Sequence, residues 1–409
     1  MNRRHSPQTI LIIAAASIAS AWIASTAKAS DMIAGSESEG LVFVVSNETG
    51  MEIWRARLAD KALQRVSATP DQEERWPAWS GNAKRIAFIA RNTVGTMKSI
   101  IKTLDIETGK ESGIGPTPDF VQRTHVWAPD GKSIAHTFRI PSSDEKFITD
   151  SGTVIVNLER ATRVVIAKVE SIQHRMQYLA YSSDGAKIVA HGTEYGKPRN
   201  DKLWILGQGQ PPQPIRRIPH GTYEKPRFTR DNQRVVFTVR VNESRPRDVM
   251  VIGLGERSGA SRLASHPRSD DFSAAPSPVR DEIAFVSDRD GSPDLFLADL
   301  VGRTPPVNLT KNSTDADLDP VWSPDGERIA YIVVPKDDYL AEKKNHAAIK
   351  IRVIDRQGRL LFETGGVMPN WMPAWSGDQP VAAFLEKNVG MTATKPTTRT
   401  TTTTTQSAD

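Results

Sequence analysis

The stretch from Asp319 to Ile332, DPVWSPDGERIAYI, holds an aromatic residue, a Pro-Asp-Gly turn and an alternating apolar run that reads as a strand. Pro324 presets φ for the turn, Asp325 bonds to the backbone locally, and Gly326 supplies positive φ without steric cost. The same frame, an aromatic anchor with an aliphatic residue seven positions later, returns along the chain. It holds closely at Trp79 and Trp127, and with a smaller aromatic at Tyr181 and Phe228. It is looser at Pro276, which occupies the aromatic slot, and at Trp375, whose turn is one residue short. Counting Trp322 there are seven cores, and successive anchors lie 48, 54, 47, 48, 46 and 53 residues apart. A period of that length belongs to propellers, solenoids or arrays.

The material between cores decides among these. After the core at Pro276 come DRDGSPDLFLADL (288–300) and PPVNLT (305–310), which parse as turn, strand, turn and short strand. Four short strands per unit, no helix-length 3.6-residue periodicity and Gly, Pro or Asp at every junction predict an all-β fold, a β-propeller of four-stranded antiparallel blades. The anchors Trp79, Trp127, Tyr181, Phe228, Trp322 and Trp375 are then expected to fill the wedges between blades as core.

The count follows from the ends. LVFVVSNETGMEIWRARL (41–58) matches the second and third strands of a unit without the anchor before them, and PAWS (373–376) ends the series without a complete unit after it. PAWS is expected to supply the missing strand and close the ring, which removes exposed sheet edges. That gives seven blades. The segment VAAFLE (381–386) duplicates a strand present near the N-terminus, so counts of six and eight stay open.

The W-S-P-D-G-x-x-I-A core followed by S-D-R-D-G-x-x-D-L-F resembles the WD40-like PD40 repeats of TolB-like bacterial β-propellers. The match is closest at residues 319–332 and 283–299, and the frame covers roughly residues 41–387. The resemblance implies an exported bacterial propeller. It speaks for fold rather than activity, because scaffolds, peptidase caps and lyases share this repeat.

The 409 residues carry 53 basic and 48 acidic side chains and no cysteine. Absence of cysteine excludes disulfides, thiolate zinc sites and cysteine nucleophiles together. Arg3 and Arg4, an apolar run from Ile10 to Ala24 and small residues at Ala27 and Ala29 read as a secretory signal over residues 1–29, with no lipobox cysteine after the apolar run. A retained N-terminal anchor is the alternative, although the run is short for a membrane span. Without residues 1–29 the chain holds 50 basic against 48 acidic residues, so the excess charge gives no argument for nucleic acid, and no basic stripe interleaved with aromatics supplies one. The expected segments are a signal at 1–29, a linker at 30–40, the propeller at 41–387 and a Thr-rich disordered tail at 388–409. TolB proteins carry a separate α/β domain before the propeller. Here only the eleven-residue linker separates the expected cleavage site from the first strand, which weighs against a literal Tol role.

No Gly-x-Ser-x-Gly elbow, Ser-x-x-Lys, His-Glu-x-x-His or phosphate-binding Gly-rich loop is present. Three successive units carry a histidine ahead of the anchor: His125, His174 and His220. With Glu224 they form a candidate divalent-metal site (Ca or Mn) at the channel mouth, and Arg123 or Arg175 could there neutralise a uronate carboxylate. Their offsets of two, seven and eight residues before the anchor do not assure equal heights. Asp315, Asp317 and Asp319 alternate, so an extended backbone would point all three carboxylates one way, which suits Ca²⁺ or a structural use. The loop DRDGSPD (288–294) starts like a calcium loop but lacks the distal bidentate Glu and reads as a turn. Two functions follow. The first is an exported, periplasmic, monomeric and non-enzymatic scaffold that binds an envelope protein or small ligand, with no cofactor. The alternative is a metal-dependent carbohydrate-active lyase.

Overall fold

The computed structural model describes residues 40–47, 50–67, 72–92, 99–114, 124–141, 148–168, 174–194, 201–255, 258–264, 266, 268–341 and 348–372. The expected signal at 1–29, the linker as far as residue 39, Trp375, VAAFLE and the tail at 388–409 lie outside the described residues.

The described residues open with β1 (Gly40–Asn47), β2 (Gly50–Arg57) and β3 (Ala62–Ser67). Blade 1 is β4 (Gln72–Trp79), β5 (Arg85–Asn92), β6 (Ser99–Asp105) and β7 (Glu111–Ile114). Blade 2 is β8 (His125–Trp127), β9 (Ser133–Pro141), β10 (Ile148–Asn157) and β11 (Thr162–Lys168). Blade 3 is β12 (His174–Tyr181), β13 (Ile188–Glu194), β14 (Asp201–Gly207) and β15 (Gln210–Pro214). Blade 4 is β16 (Thr222–Phe228), β17 (Arg234–Arg240), β18 (Asp248–Gly253) and β19 (Ser261–Ala264). Blade 5 is β20 (Asp271–Pro276), β21 (Glu282–Ser287), β22 (Asp294–Asp299) and β23 (Val307–Asn308). Blade 6 is β24 (Ala316–Trp322), β25 (Arg328–Val334), β26 (Lys350–Asp355) and β27 (Leu360–Gly365), with the short helix α1 (Lys336–Leu340) between β25 and β26. Finally β28 (Val367–Met372) pairs with β1, and blade 7 reads β28-β1-β2-β3. The innermost strands β4, β8, β12, β16, β20, β24 and β28 each pack on the next, and β28 returns to β4. This is a seven-bladed β-propeller.

Burial follows position in the blade. Strand β24 is buried throughout and β25 after its first residue, because blades cover both faces, whereas outer β27 is mostly exposed and buries only Phe362. The anchors Trp79, Trp127, Tyr181, Phe228 and Trp322 end their innermost strands, all buried. Trp127 Nε1 donates to the Ala78 carbonyl and Trp322 Nε1 to the Ala275 carbonyl, each at 2.9 Å. In both cases the acceptor immediately precedes the anchor slot of the neighbouring blade, so the indole fills the seam and bonds across it.

The turn after each anchor repeats as well. Gly326 N donates to Ser323 O at 2.8 Å and Ala83 N to Ser80 O at 2.9 Å, both with positive φ, 67° and 56°. A Cβ on Gly326 would lie 2.4 Å from Val279 Cγ2 of blade 5, so this glycine serves both the turn and the seam.

One expectation is corrected. The closing strand is 367–372, not PAWS, and Trp371 rather than Trp375 occupies the anchor slot, pairing with Leu41 as Trp322 pairs with Ile329. Trp371 lies 49 residues after Trp322, which fits the repeat better than the 53 of Trp375.

Candidate functional site

The seven innermost strands surround a central channel, and in six of them what faces it is set by a bulge three residues before the anchor. Trp76, Tyr178, Lys225, Ser273, Asp319 and Met368 all occupy that position, and all have left-handed φ, between 45° and 57°. The ladders shift register at the same place, between Arg75 and Ala78, Gln177 and Ala180, Glu224 and Arg227, Phe272 and Ala275, and Leu318 and Val321. A β-bulge re-aims the side chain it carries. Its direction is evident from Lys225 and Asp319: they come from blades 4 and 6, yet Lys225 Nζ bonds Asp319 Oδ1, which strands two blades apart can achieve only on the axis side. Ser273 of blade 5 donates to the same Oδ1 at 2.6 Å and lies 3.3 Å from Lys225 Nζ.

Together these residues make a waist in which all but the half-buried Tyr178 are buried. Lys225 is 9% exposed, Ser273 6%, Asp319 4%, Trp76 6% and Met368 0%. Burial of a lone charge is costly, so the pair exists because each partner compensates the other. Burial also pushes the neighbouring Arg227 guanidinium down to about 10, with Asp319 acting against that shift. The Tyr178 ring lies 6.0 Å from that of His191, whose Nε2 is 3.5 Å from Asp201 Oδ2. Sequence reasoning missed Trp76, Tyr178, Lys225, Ser273 and Met368. A signal existed: Pro77, Pro226, Pro320 and Pro369 follow four of the six bulge residues, giving x-Pro-x-aromatic.

The expected histidine cluster does not form as drawn. His125 is fully buried in the seam with blade 1 beside the Ala87 carbonyl, and neither ring nitrogen makes a well-formed hydrogen bond. Burial holds its imidazole down to about 4. His136, its partner across the β8–β9 ladder, is pushed down to about 4 by the same cause. His220 is exposed in the connection from β15 to β16. His174 and Arg175 begin β12, paired with Glu194 and Thr193, and their side chains lie outside what is described; Arg123 lies outside the described residues. Glu224 lies 3.7 Å from Arg247, which also pairs with Asp270 at 2.9 Å. Among the described residues no group of three or more His, Asp or Glu is placed to share an ion.

The three aspartates diverge for a backbone reason. The bulge at Asp319 breaks the alternation, sending Asp319 to the axis, while Asp317 turns to a fully buried position near Asp294, Thr310 and Ser313. Burial pushes the Asp317 carboxyl up to about 7, against the Thr310 and Ser313 hydroxyls and Arg352. Asp315 stays half-buried. The loop from Asp288 to Asp294 is a turn, Gly291 N donating to Asp288 O at 2.9 Å.

No protein-family model and no curated protein matches the chain. Its fold is similar to that of prolyl oligopeptidase B from Galerina marginata, at 10% identity over 83% of this chain and 53% of that one, with a TM-score of 0.61. An oligogalacturonate lyase in complex with manganese is 12% identical over 72% of this chain and 82% of that one, with a TM-score of 0.53. TolB from Acinetobacter baumannii is 16% identical over 82% and 67%, with a TM-score of 0.47. The likeness shows a β-propeller. This chain spans about half the length of the prolyl oligopeptidase, and at these identities nothing beyond the fold carries over. No helix among the described residues is long and apolar enough to cross a membrane.

Proposed function

We propose that this propeller is exported to the cell envelope and acts there as a non-enzymatic scaffold, binding a protein or small ligand on its rigid ring. The observation that carries the reading is the waist: Lys225, Ser273 and Asp319 are spent on joining blades 4, 5 and 6 to one another. Charged groups engaged in this way stiffen a scaffold rather than attack a substrate. Export rests on the basic, apolar and small-residue order of residues 1–29.

The test is fractionation of the full chain with N-terminal sequencing, followed by metal analysis of the mature protein purified without chelator. A mature chain starting at Ser30 and free of stoichiometric metal fits the reading. Stoichiometric metal that disappears in a His125→Ala, His174→Ala double variant would replace it with the metal-dependent lyase, and the uncleaved chain in the cytoplasm would overturn export.

A further inference from the structure

The near-balance of charge in the chain conceals a division along it. Residues 215–268, which hold blade 4 and the connections on either side, carry 12 basic and 5 acidic side chains, whereas residues 269–349, blade 5 and the first half of blade 6, carry 8 basic and 16 acidic. Part of each excess is neutralised inside the ring: Lys225 with Asp319, Arg230 with Asp281 and Arg247 with Asp270 all join blade 4 to blades 5 and 6. Two groups are left over. Arg216, Arg217, Arg245 and Arg268 are exposed and have no ion-pair partner among the described residues. Asp288, Asp290, Asp315, Asp337 and Asp338 have none either, and the first two and Asp337 are exposed.

Strand order puts both groups on one face. Each innermost strand starts at one face of the ring and ends at the other, where the anchor turns lie, and the strands of a blade alternate in direction. The connections that follow β15, β17, β19, β21, β23 and β25 therefore all lead to the starting face. Arg245 lies between β17 and β18 and Arg268 between β19 and β20. Arg217 O accepts the Ala260 N–H at 3.2 Å, which sets Arg216 and Arg217 on the adjoining rim of blade 4. Asp288 and Asp290 lie between β21 and β22, Asp315 between β23 and β24, and Asp337 and Asp338 on α1. Each group also carries an exposed aliphatic side chain, Val241 in the connection that holds Arg245 and Leu340 on α1, the latter 68% exposed. Glu243 among the arginines, and Lys311 and Lys336 among the aspartates, are the minority charges.

We infer that this face is an interface between two copies of the chain. A two-fold axis in the plane of the face lays the arginines of one protomer against the aspartates of its partner, and symmetry makes the same contact a second time. One copy carries both halves of the contact, so the complementary charge comes from the chain itself. Arginine suits this use because its planar fork engages both oxygens of a carboxylate. Val241 and the partner's Leu340 supply the apolar contact between the charged groups. Exposed ion pairs contribute little singly, so the association is weak and salt-sensitive.

Sedimentation equilibrium of the purified protein tests this. Between about 0.01 M and 1 M sodium chloride the screening length falls from roughly 30 Å to 3 Å, and a dimer present at low salt is expected to dissociate across that range. The variants Arg245→Glu, Arg268→Glu and Asp337→Lys, Asp338→Lys are each expected to raise the concentration of half-dimerisation at low salt by at least about tenfold, since every reversed charge counts twice in a two-fold contact. Mixed in equal amounts they should recover dimers, because one protomer is then mainly acidic across the face and its partner mainly basic. Should the change on α1 impair folding, Asp290→Lys, Asp315→Lys takes its place. A parent protein that stays monomeric at low salt would overturn the inference and leave these charges to a different partner. Variants that dimerise like the parent, or that stay apart when mixed, would overturn it too.

Discussion

Lys225 on β16 and Asp319 on β24 stand two blades apart in the ring and form an ion pair at the waist of the channel, with Ser273 of the intervening blade bonded to the same carboxylate oxygen. The pair spans blade 5 and ties three blades to the axis. Its members are 8% and 4% exposed in their side chains, so removing one leaves the other as a buried, uncompensated charge.

Lys225→Met is therefore expected to destabilise the propeller by about 3–5 kcal/mol. Lys225→Met combined with Asp319→Leu should cost less than the single change, since no orphaned charge remains. Urea unfolding of the three proteins measures this, and a double variant worse than Lys225→Met would show that the pair is net stabilising.

Asp317 gives the fold an alkaline liability. Its carboxyl is pushed up from 3.8 to about 7, so the folded state keeps a proton that the unfolded chain releases near pH 4. Stability therefore falls as pH rises from about 4 to about 7, by roughly 1.4 kcal/mol for each pH unit crossed, and the full penalty persists above that. Asp317→Asn should flatten this limb and melt at a higher temperature than the parent at pH 8. In a background where His125 and His136 are replaced by apolar residues, equal melting at pH 5 and pH 8 would contradict it.

His125 and His136 oppose it on the acid side. Burial lowers both imidazoles from 6.5 to about 4, so the unfolded chain binds protons first as pH falls. The stability of each neutral ring is whole above about pH 6.5 and is lost between there and about 4, again at roughly 1.4 kcal/mol for each pH unit crossed. His125→Leu should therefore narrow the difference in unfolding free energy between pH 7 and pH 4.5. An unchanged difference would mean that this imidazole does not titrate with unfolding.

Ala83 occupies the turn position that Gly326 fills in blade 6, with φ at 56°. Left-handed backbone costs a residue with a Cβ roughly 1 kcal/mol relative to glycine. Ala83→Gly is expected to raise stability by about 0.5–1 kcal/mol, and Gly326→Ala to lower it by more, because the new Cβ also meets Val279. Paired thermal melts test both signs.

The repeat, the four-strand blade, the ring and the seven-fold count were all legible in the residues, because anchor, turn and aliphatic strand are local features that recur at fixed spacing. Trp79, Trp127, Tyr181, Phe228 and Trp322 could be assigned to the seams for the same reason: a large aromatic at a fixed distance from a turn is core in every blade. The last anchor was misplaced by four residues because MPNW and MPAW are equivalent as local sequence, and only pairing with β1 tells them apart. The waist was hidden in the same way. Alternation along an extended strand puts Asp315, Asp317 and Asp319 on one face, but the bulge at Asp319 turns its carboxylate to the axis and leaves Asp317 in the interior. Which residues then meet across the channel, Lys225 with Asp319 over 94 positions of sequence, depends on ring closure and blade order. Local sequence determined the blade and its repetition. Tertiary structure alone decided what faces the axis, because a side chain's direction there is set by backbone bulges and by partners two blades away.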